Sequence, residues 1–202
     1  MKKTGTIIIL NGTPRSGKSS IAKFIQDNFK GVWMNLGVDH LMKMTPDAYQ
    51  PGIGLRPGGE RPDLEPVIER LYIAMYESIA SFSRAGINVV VDVGHHDGYS
   101  TSLDILKKCA MILEGYPAYL IGVHCPIEII MKRRLTTWNI GYTPDGNIPK
   151  PVKLWQKLVH EPGIYDLEVD TSILSSAECA NLIRKRIKLG PMPTSFEEIR
   201  NL

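Results

Sequence analysis

An eight-residue glycine-containing segment near the start of the chain limits what this sequence can fold into. It spans residues 12–19 and follows the spacing G-x-x-x-x-G-K-S. An apolar run, residues 6–10, precedes it, and apolar residues at helical spacing follow it. A phosphate-binding loop requires this order of strand, loop and helix. The sequence therefore predicts a P-loop after the first strand of a parallel sheet.

The residues of this segment have predicted roles in holding a nucleotide. Glycines allow the backbone to turn tightly, so that successive N–H groups point at phosphate oxygens. Lys18 is expected to reach the β- and γ-phosphates, and Ser19 to offer its hydroxyl to Mg²⁺. The predicted cofactors are ATP and Mg²⁺. The predicted nucleotide-binding residues are Gly12, Thr13, Pro14, Arg15, Ser16, Gly17, Lys18, Ser19 and Ser20.

Composition narrows the class of protein further. The 202 residues are 43% hydrophobic and 22% charged, which predicts one domain, residues 1–202, with a sizeable core. A net charge of +3 is too small to predict a nucleic-acid or membrane partner. The apolar run near the start is too short for a secretory signal. Three widely spaced cysteines predict neither a disulfide framework nor a metal site, which favours the cytoplasm. A homo-oligomer is left open.

Strand-like and helix-like segments alternate along the chain. The strands are predicted at residues 6–10, 32–37, 87–92, 118–123 and 165–171, and the main helices at 18–29, 67–85, 100–113, 126–135, 152–159 and 176–189. This alternation predicts an α/β fold, a doubly wound parallel sheet of about five strands, of the P-loop kinase type with a lid. A Rossmann fold is excluded because no G-x-G-x-x-G follows a strand. The tail, residues 190–202, is expected to be peripheral.

Two aspartates follow predicted strands. Asp92 closes a β-branched run, where it is expected to order the Mg²⁺ shell together with Ser19, although it could also simply close the strand. Asp39 follows the second strand and precedes a short helix. From the residues alone, Asp39 either caps that helix or presents a carboxylate to a substrate hydroxyl.

Two loops are candidates for holding the acceptor of a phosphoryl group. Residues 45–66 are dense in proline and glycine and directly follow Asp39, so they are predicted to form part of the acceptor pocket. His95 and His96 lie in a polar turn after Asp92 and either bind the acceptor or belong to a solvated loop. Zinc is not predicted, because no further ligand set is visible.

A basic triplet, Lys132, Arg133 and Arg134, lies in the predicted helix 126–135. Such a triplet either complements the helix dipole or closes over the transferred phosphoryl group. The residues that follow include several glycines and prolines, which are typical of a mobile lid. We therefore expect residues 132–151 to form a lid.

Several segments, taken in order, resemble the chloramphenicol phosphotransferase family of P-loop kinases. They are residues 9–12 leading into 17–19, then 37–39, 91–93 and 122–125, and, most specifically, 159–171. The similarity runs from about residue 7 to 183. It implies ATP-dependent phosphorylation of a hydroxyl on a small molecule. In that family pattern Asp39 matches the catalytic base, Lys18 and Ser19 match the phosphate and Mg²⁺ ligands, and Arg133 matches the first lid arginine.

The sequence departs from the family pattern at two places. Thr137, Trp138 and Asn139 stand where further lid arginines are expected, and residues 44–66 diverge. The resemblance therefore supports the phosphotransfer reaction better than it supports chloramphenicol as the substrate. A role in antibiotic resistance, which depends on that substrate, is supported to the same lesser extent. The alternatives are a kinase for another hydroxylated metabolite or activated sugar, and a nucleotide hydrolase or switch without an acceptor.

Overall fold

A five-stranded parallel sheet forms the centre of the computed structural model, which describes residues 4–202. The prediction that the start of the chain is not a secretory signal also involves residues 1–3, which lie outside this range. The strands lie in the order β2-β3-β1-β4-β5. Their bounds are β1 Ile7–Asn11, β2 Trp33–Asn35, β3 Asn88–Val93, β4 Ala118–His124 and β5 Leu167–Asp170. The predicted doubly wound α/β fold is confirmed.

Eight helices flank the sheet in the described part of the chain. They are α1 Lys18–Asn28, α2 Val38–Met44, α3 Glu65–Arg84, α4 Ile105–Ile112, α5 Ile127–Trp138, α6 Lys150–Leu158, α7 Ser176–Leu189 and α8 Ser195–Arg200. None of these helices is long and apolar enough to cross a membrane.

Strand β1 is the middle of the sheet and is fully buried on both faces. Successive side chains point to opposite faces of a strand, so Ile8 and Leu10 pack toward α1 and α7 while Ile7 and Ile9 pack toward α3, α4 and α8. Asn11 pairs with Val93 of β3 and with Gly122 of β4. The carboxyl ends of three strands therefore meet at one edge, where parallel sheets bind ligands.

The fourth helix begins five residues later than the sequence predicts. Residues 100–104 form a loop because side chains bind their backbone: Leu103 N–H donates to Asp97 Oδ1 at 2.8 Å, and Ser100 N–H donates to Glu65 Oε1 at 2.8 Å. Side-chain acceptors of this kind compete with helical hydrogen bonds. The helix starts only at Ile105.

One face of the tail packs on the core, which corrects the expectation that the whole tail is peripheral. Residues 190–202 include α8, whose Phe196 and Ile199 are 4% and 1% exposed and pack with α4 and β4. The two residues are three apart and so lie on one face of the helix. Their burial covers apolar surface that a shorter chain would leave in water.

The proline- and glycine-rich segment, residues 45–66, forms three single turns of 3₁₀ helix rather than a long regular element. Ile53, Leu55 and Leu64 are nevertheless buried against the core that includes α3. The segment expected to be a lid, residues 132–151, comprises the end of α5, the connection 139–149 and the start of α6.

Candidate active site

The P-loop curves around the side chain of Lys18. Gly17 adopts φ 99°, a left-handed conformation that favours glycine, and α1 begins at the next residue. Lys18 Nζ donates to the carbonyl oxygens of Gly12 at 2.7 Å and Thr13 at 2.9 Å. Burial lowers the pKa of Lys18 to about 8, although Asp92 and Asp39 oppose that shift. The ammonium is thus held inside the loop, where a phosphate oxygen would meet it.

Ser19 and Asp92 meet at the carboxyl end of the sheet. Ser19 Oγ donates to Asp92 Oδ2 at 2.6 Å, and the Asp92 side chain is buried. A hydroxyl and a carboxylate are suitable ligands for Mg²⁺, which takes one or two protein groups and completes its shell with phosphate oxygens and water. No cluster of three or more His, Cys, Asp or Glu side chains among residues 4–202 could hold a metal by itself. The pair therefore fits Mg²⁺ bound together with a nucleotide.

Asp39 lies in the first turn of α2 and is exposed. The helix is capped at Gly37 without a side-chain hydrogen bond, so Asp39 does not cap it. A Cβ at Gly37 would lie 1.7 Å from Asp92 Oδ1, so only glycine lets α2 approach this closely. The carboxylates of Asp39 and Asp92 consequently line the same cavity as Lys18.

This cavity has a volume of about 760 Å³ and is built from two groups of segments. We call the first group the phosphate side: Gly12, Pro14, Arg15, Gly17, Lys18, Ser19, Ser20, Asp92, Arg133, Arg134, Thr137, Trp138, Thr171, Leu174, Ser175 and Ser176. We call the second group the acceptor side: Val38, Asp39, Met42, Pro51, Ile53, Gly54, Arg56, Tyr72, Val93, Gly94, Pro149, Pro151, Val152 and Trp155. Thr13 and Ser16, predicted to bind nucleotide, are buried and lie outside the lining.

Arg133 connects two segments of the phosphate side through hydrogen bonds. Its guanidinium donates to Arg15 O at 3.2 Å, to Thr171 Oγ1 at 3.0 Å and to Thr171 O at 2.8 Å. Thr171 Oγ1 in turn donates to Ser16 O at 2.6 Å. Thr171, which directly follows β5, therefore holds the P-loop backbone in place.

The face of the Trp138 indole contacts two guanidinium groups. The Cζ atom of Arg15 lies 3.8 Å and that of Arg134 lies 5.1 Å from the ring centroid, both within the range of cation–π interaction. Burial lowers the pKa of Arg15 despite the opposing charge of Asp39. A tryptophan in place of a lid arginine thus positions two arginines instead of adding a third.

The structure does not place His95 and His96 in the cavity, contrary to the prediction that they bind the acceptor. His95 is 3% exposed, packs against Tyr72 and shares a 2.8 Å hydrogen bond between its Nε2 and Tyr76 Oη. Burial lowers its pKa to about 3. His96 is also buried, and its Nε2 lies 3.1 Å from Leu55 O. Both rings turn inward because the core offers partners, and of residues 93–98 Val93 and Gly94 line the cavity.

Sequence reasoning also missed Asn11, which ends β1. Its side chain donates to Val159 O at 2.7 Å and to Tyr165 Oη at 2.9 Å, and its Oδ1 accepts from His95 N–H at 2.8 Å. It thereby joins three segments around the base of the P-loop. A buried polar residue at the end of an apolar strand needs hydrogen-bond partners, and this requirement is the signal that could have identified it.

The parallel sheet, the P-loop and the paired Ser19 and Asp92 define a P-loop nucleotide-binding fold. The family model of the chloramphenicol phosphotransferase-like proteins matches residues 5–188. The chain therefore belongs to the chloramphenicol phosphotransferase-like family. It is also 24% identical, over 97% of its length and 88% of the relative's, to a Mycobacterium tuberculosis protein that bears the provisional name of an O-phosphotransferase.

Solved structures of small-molecule kinases have the same fold. The Mycobacterium tuberculosis APS kinase CysC, in complex with AMPPNP and APS, matches with a TM-score of 0.63 and 15% identity, over 90% of this chain and 96% of that one. Shikimate kinase from Acinetobacter baumannii, in complex with shikimate, matches with a TM-score of 0.59 and 13% identity, over 93% and 97% of the two chains. Identities this low show the shared fold alone.

Proposed function

We propose that this protein is an ATP-dependent kinase that transfers the γ-phosphoryl group to a hydroxyl of a small molecule. The observation that carries the proposal is the convergence of Lys18, the Ser19–Asp92 pair and Asp39 on one cavity of about 760 Å³. That volume lies within the usual range of ligand sites. Membership of the chloramphenicol phosphotransferase-like family supports the same reaction.

In the proposed reaction the acceptor hydroxyl oxygen forms a bond to the γ-phosphorus, the bond to the β–γ bridging oxygen breaks, and ADP leaves. Asp39 accepts the hydroxyl proton, and Lys18 exchanges its carbonyl partners for phosphate oxygens. Ser19 and Asp92 would hold Mg²⁺, which would supply positive charge to the phosphates when bound. The Arg133 guanidinium lines the cavity, and its bonds to Arg15 and Thr171 use only Nη1 and Nη2, so its Nε–H has no recorded protein acceptor within residues 4–202 and is a candidate donor to the transferred group.

Asp39→Asn tests this assignment. The amide cannot accept the proton, so kcat should fall by about 10²- to 10⁴-fold. ATP binding should be retained, because Asp39 lies on the acceptor side. The assay measures ADP release with ATP and Mg²⁺ across hydroxylated antibiotics and metabolites, chloramphenicol included, and product mass checks for an added phosphoryl group. Near-normal turnover of Asp39→Asn would contradict the assignment. Asp47→Asn, which removes an exposed carboxylate outside the cavity, is the matched control.

A nucleotide hydrolase or switch is the alternative within the same fold. It would release ADP at one slow rate whatever acceptor is present. The acceptor side favours a kinase, because its Met42, Ile53, Tyr72 and Trp155 enclose space beyond the P-loop that hydrolysis does not need.

A further inference from the structure

The cavity carries more positive charge than a nucleotide can neutralise. Five cationic side chains line it, and only two carboxylates do, those of Asp39 and Asp92. The cations are Arg15, Lys18, Arg56, Arg133 and Arg134. A complex of ATP with Mg²⁺ carries roughly two negative charges near neutral pH. About one positive charge is left over when the nucleotide is bound, and an anionic second ligand would balance it in place of solvent ions.

Arg56 is the cation on the acceptor side. It comes from the segment 45–66 and lines the cavity at its exposed rim, and its side chain forms no ion pair or hydrogen bond with any residue between 4 and 202. Arg61, from the same segment, behaves differently: its Nη2 lies 2.7 Å from Asp63 Oδ2. The one arginine of this segment that reaches the cavity is thus the one without a carboxylate partner.

Arg134 adds a second guanidinium near Arg56. It lines the cavity, and its buried Nε has no hydrogen-bond partner within the described chain. The pKa of Arg134 is lowered, first by burial and then by the like charges of Arg56 and Arg15. Like charges gathered in a partly desolvated site repel one another, so an anion placed between them would be bound favourably.

The rest of the acceptor side is apolar and aromatic. Ile53, Met42 and Val93 line it together with Tyr72 and Trp155. The buried Nε1 of Trp155 has no acceptor within residues 4–202. Such walls favour a ligand with an apolar or aromatic body, and the free indole N–H adds one donor for a polar substituent.

We propose that the acceptor is a small hydroxylated molecule with an apolar or aromatic body and one carboxylate-like anionic group, bound at Arg56 beside Arg134. This inference rests on the proposed kinase function, since it names the class of molecule whose hydroxyl faces Asp39. A neutral molecule such as chloramphenicol would leave Arg56 with water and solvent ions alone as partners.

Three matched compounds test the inference: para-hydroxymethylbenzoate, its primary amide and its methyl ester. Their binding to the full chain with ADP and Mg²⁺ is measured by calorimetry. We expect the carboxylate to bind at least about tenfold more tightly than the amide or the ester, because a charge-assisted pair with arginine is formed only by the acid. Equal binding by the three compounds, or no detectable binding of the carboxylate, would overturn the inference.

Variants locate the site of that preference. Arg56→Gln should abolish the preference for the acid and Arg56→Lys should keep part of it. The control Arg70→Gln, which removes an exposed charge on α3 outside the cavity, should leave it unchanged. If Arg56→Gln instead weakens ADP binding and keeps the preference, Arg56 serves the nucleotide and the inference is wrong.

Phosphoryl transfer is measured separately, by ADP release and product mass. Selective binding of the acid without transfer to any acceptor would contradict the kinase function and leave the anion site standing. Efficient transfer to chloramphenicol or other neutral acceptors, without any preference for acids, would leave the kinase function standing and overturn the inference.

Discussion

The two sides of the cavity differ in how far their polar groups are already paired. On the phosphate side, Lys18 binds two loop carbonyls, Ser19 binds Asp92, and Arg133 binds Thr171. On the acceptor side, Arg56 and the indole N–H of Trp155 have no partner within the described chain. The phosphate side is therefore braced at Lys18, Ser19 and Arg133 before any ligand arrives, although the buried Nε atoms of Arg15 and Arg134 are unpaired there too. The acceptor side has no such braces, because the exposed Arg56 meets only water and the Trp155 N–H is free for a ligand acceptor.

The difference between the two sides predicts which substitutions should affect the binding of one ligand, nucleotide or acceptor, and which should affect both. Groups of the phosphate side are braced against each other, so a change there should alter nucleotide binding. Side chains of the acceptor side form no hydrogen bond to the P-loop within residues 4–202, and the P-loop is reached there through the backbone of Val93, whose carbonyl accepts from Gly12 N–H at 3.2 Å. A side-chain change on the acceptor side should therefore alter acceptor binding. Gly37 lies where the two sides meet, between Asp92 and α2.

Gly37→Ala should have the largest effect, because it should reduce kcat/KM for both the nucleotide and the acceptor. The new Cβ would lie 1.7 Å from Asp92 Oδ1, so Asp92 or α2 must move. Displacement of catalytic groups by about 1 Å can cost about 10²-fold, and we expect losses of that size in kcat/KM for both nucleotide and acceptor. Steady-state kinetics with each substrate varied in turn measures them.

A double-mutant cycle shows whether Gly37→Ala acts through Asp92. If it does, the loss caused by Gly37→Ala and Asp92→Asn together should be smaller than the sum of the two single losses expressed as free energies. Additive losses would mean that the substitution disturbs α2 alone, and thermal unfolding of each variant checks that the fold is intact.

Thr171→Val should have a smaller effect that is confined to the nucleotide. The substitution keeps the methyl group that packs near Gly17 and removes the hydroxyl that joins Ser16 to Arg133. Loss of these bonds should raise KM for ATP by about tenfold and leave KM for the acceptor unchanged. Thr171→Ser keeps the hydroxyl and should behave like the unaltered protein. A comparable rise in KM for the acceptor would show that the two sides are coupled.

The smallest effect concerns stability at acidic pH, through His95 behind the acceptor wall. Burial lowers the pKa of His95 to about 3, below its ordinary value of 6.5 in the unfolded chain. The unfolded chain thus binds more protons between these two values, so stability is full above about pH 6.5 and falls as pH decreases toward 4. Thermal unfolding should show Tm dropping by several degrees across this interval.

His95→Gln and His40→Gln separate the source of that pH dependence. His95→Gln removes the titrating ring and should flatten the fall in Tm, whatever its effect at neutral pH. His40 is exposed on α2, so His40→Gln should leave the slope as it is. An unchanged slope in His95→Gln would assign the acid sensitivity to other groups, of which His160, with a pKa lowered to about 4 mainly by burial, is the next to test.

Much of the fold and of the phosphate side could be predicted from the sequence, because both depend on residues close together in the chain. The apolar run of β1 and the glycine spacing of residues 12–19 specify strand, loop and helix locally. Asp92 could be located as well, since the end of a β-branched strand lies at the ligand-binding edge of a parallel sheet. The late start of α4 could not be predicted, because it depends on contacts made by Asp97 and Glu65 across a loop.

The arrangement of the acceptor side, and the long-range hydrogen bonds that support both sides of the cavity, depend on the tertiary structure. His95 and Tyr76 are 19 residues apart, and Thr171 and Ser16 are 155 residues apart, yet each pair shares a hydrogen bond. A polar residue that leaves water must find a partner in the fold, and which partner it finds depends on how strands and helices pack. Local pattern therefore determined where phosphate is expected to bind, whereas packing decided that the two histidines turn inward and that Arg56 is left unpaired in the cavity.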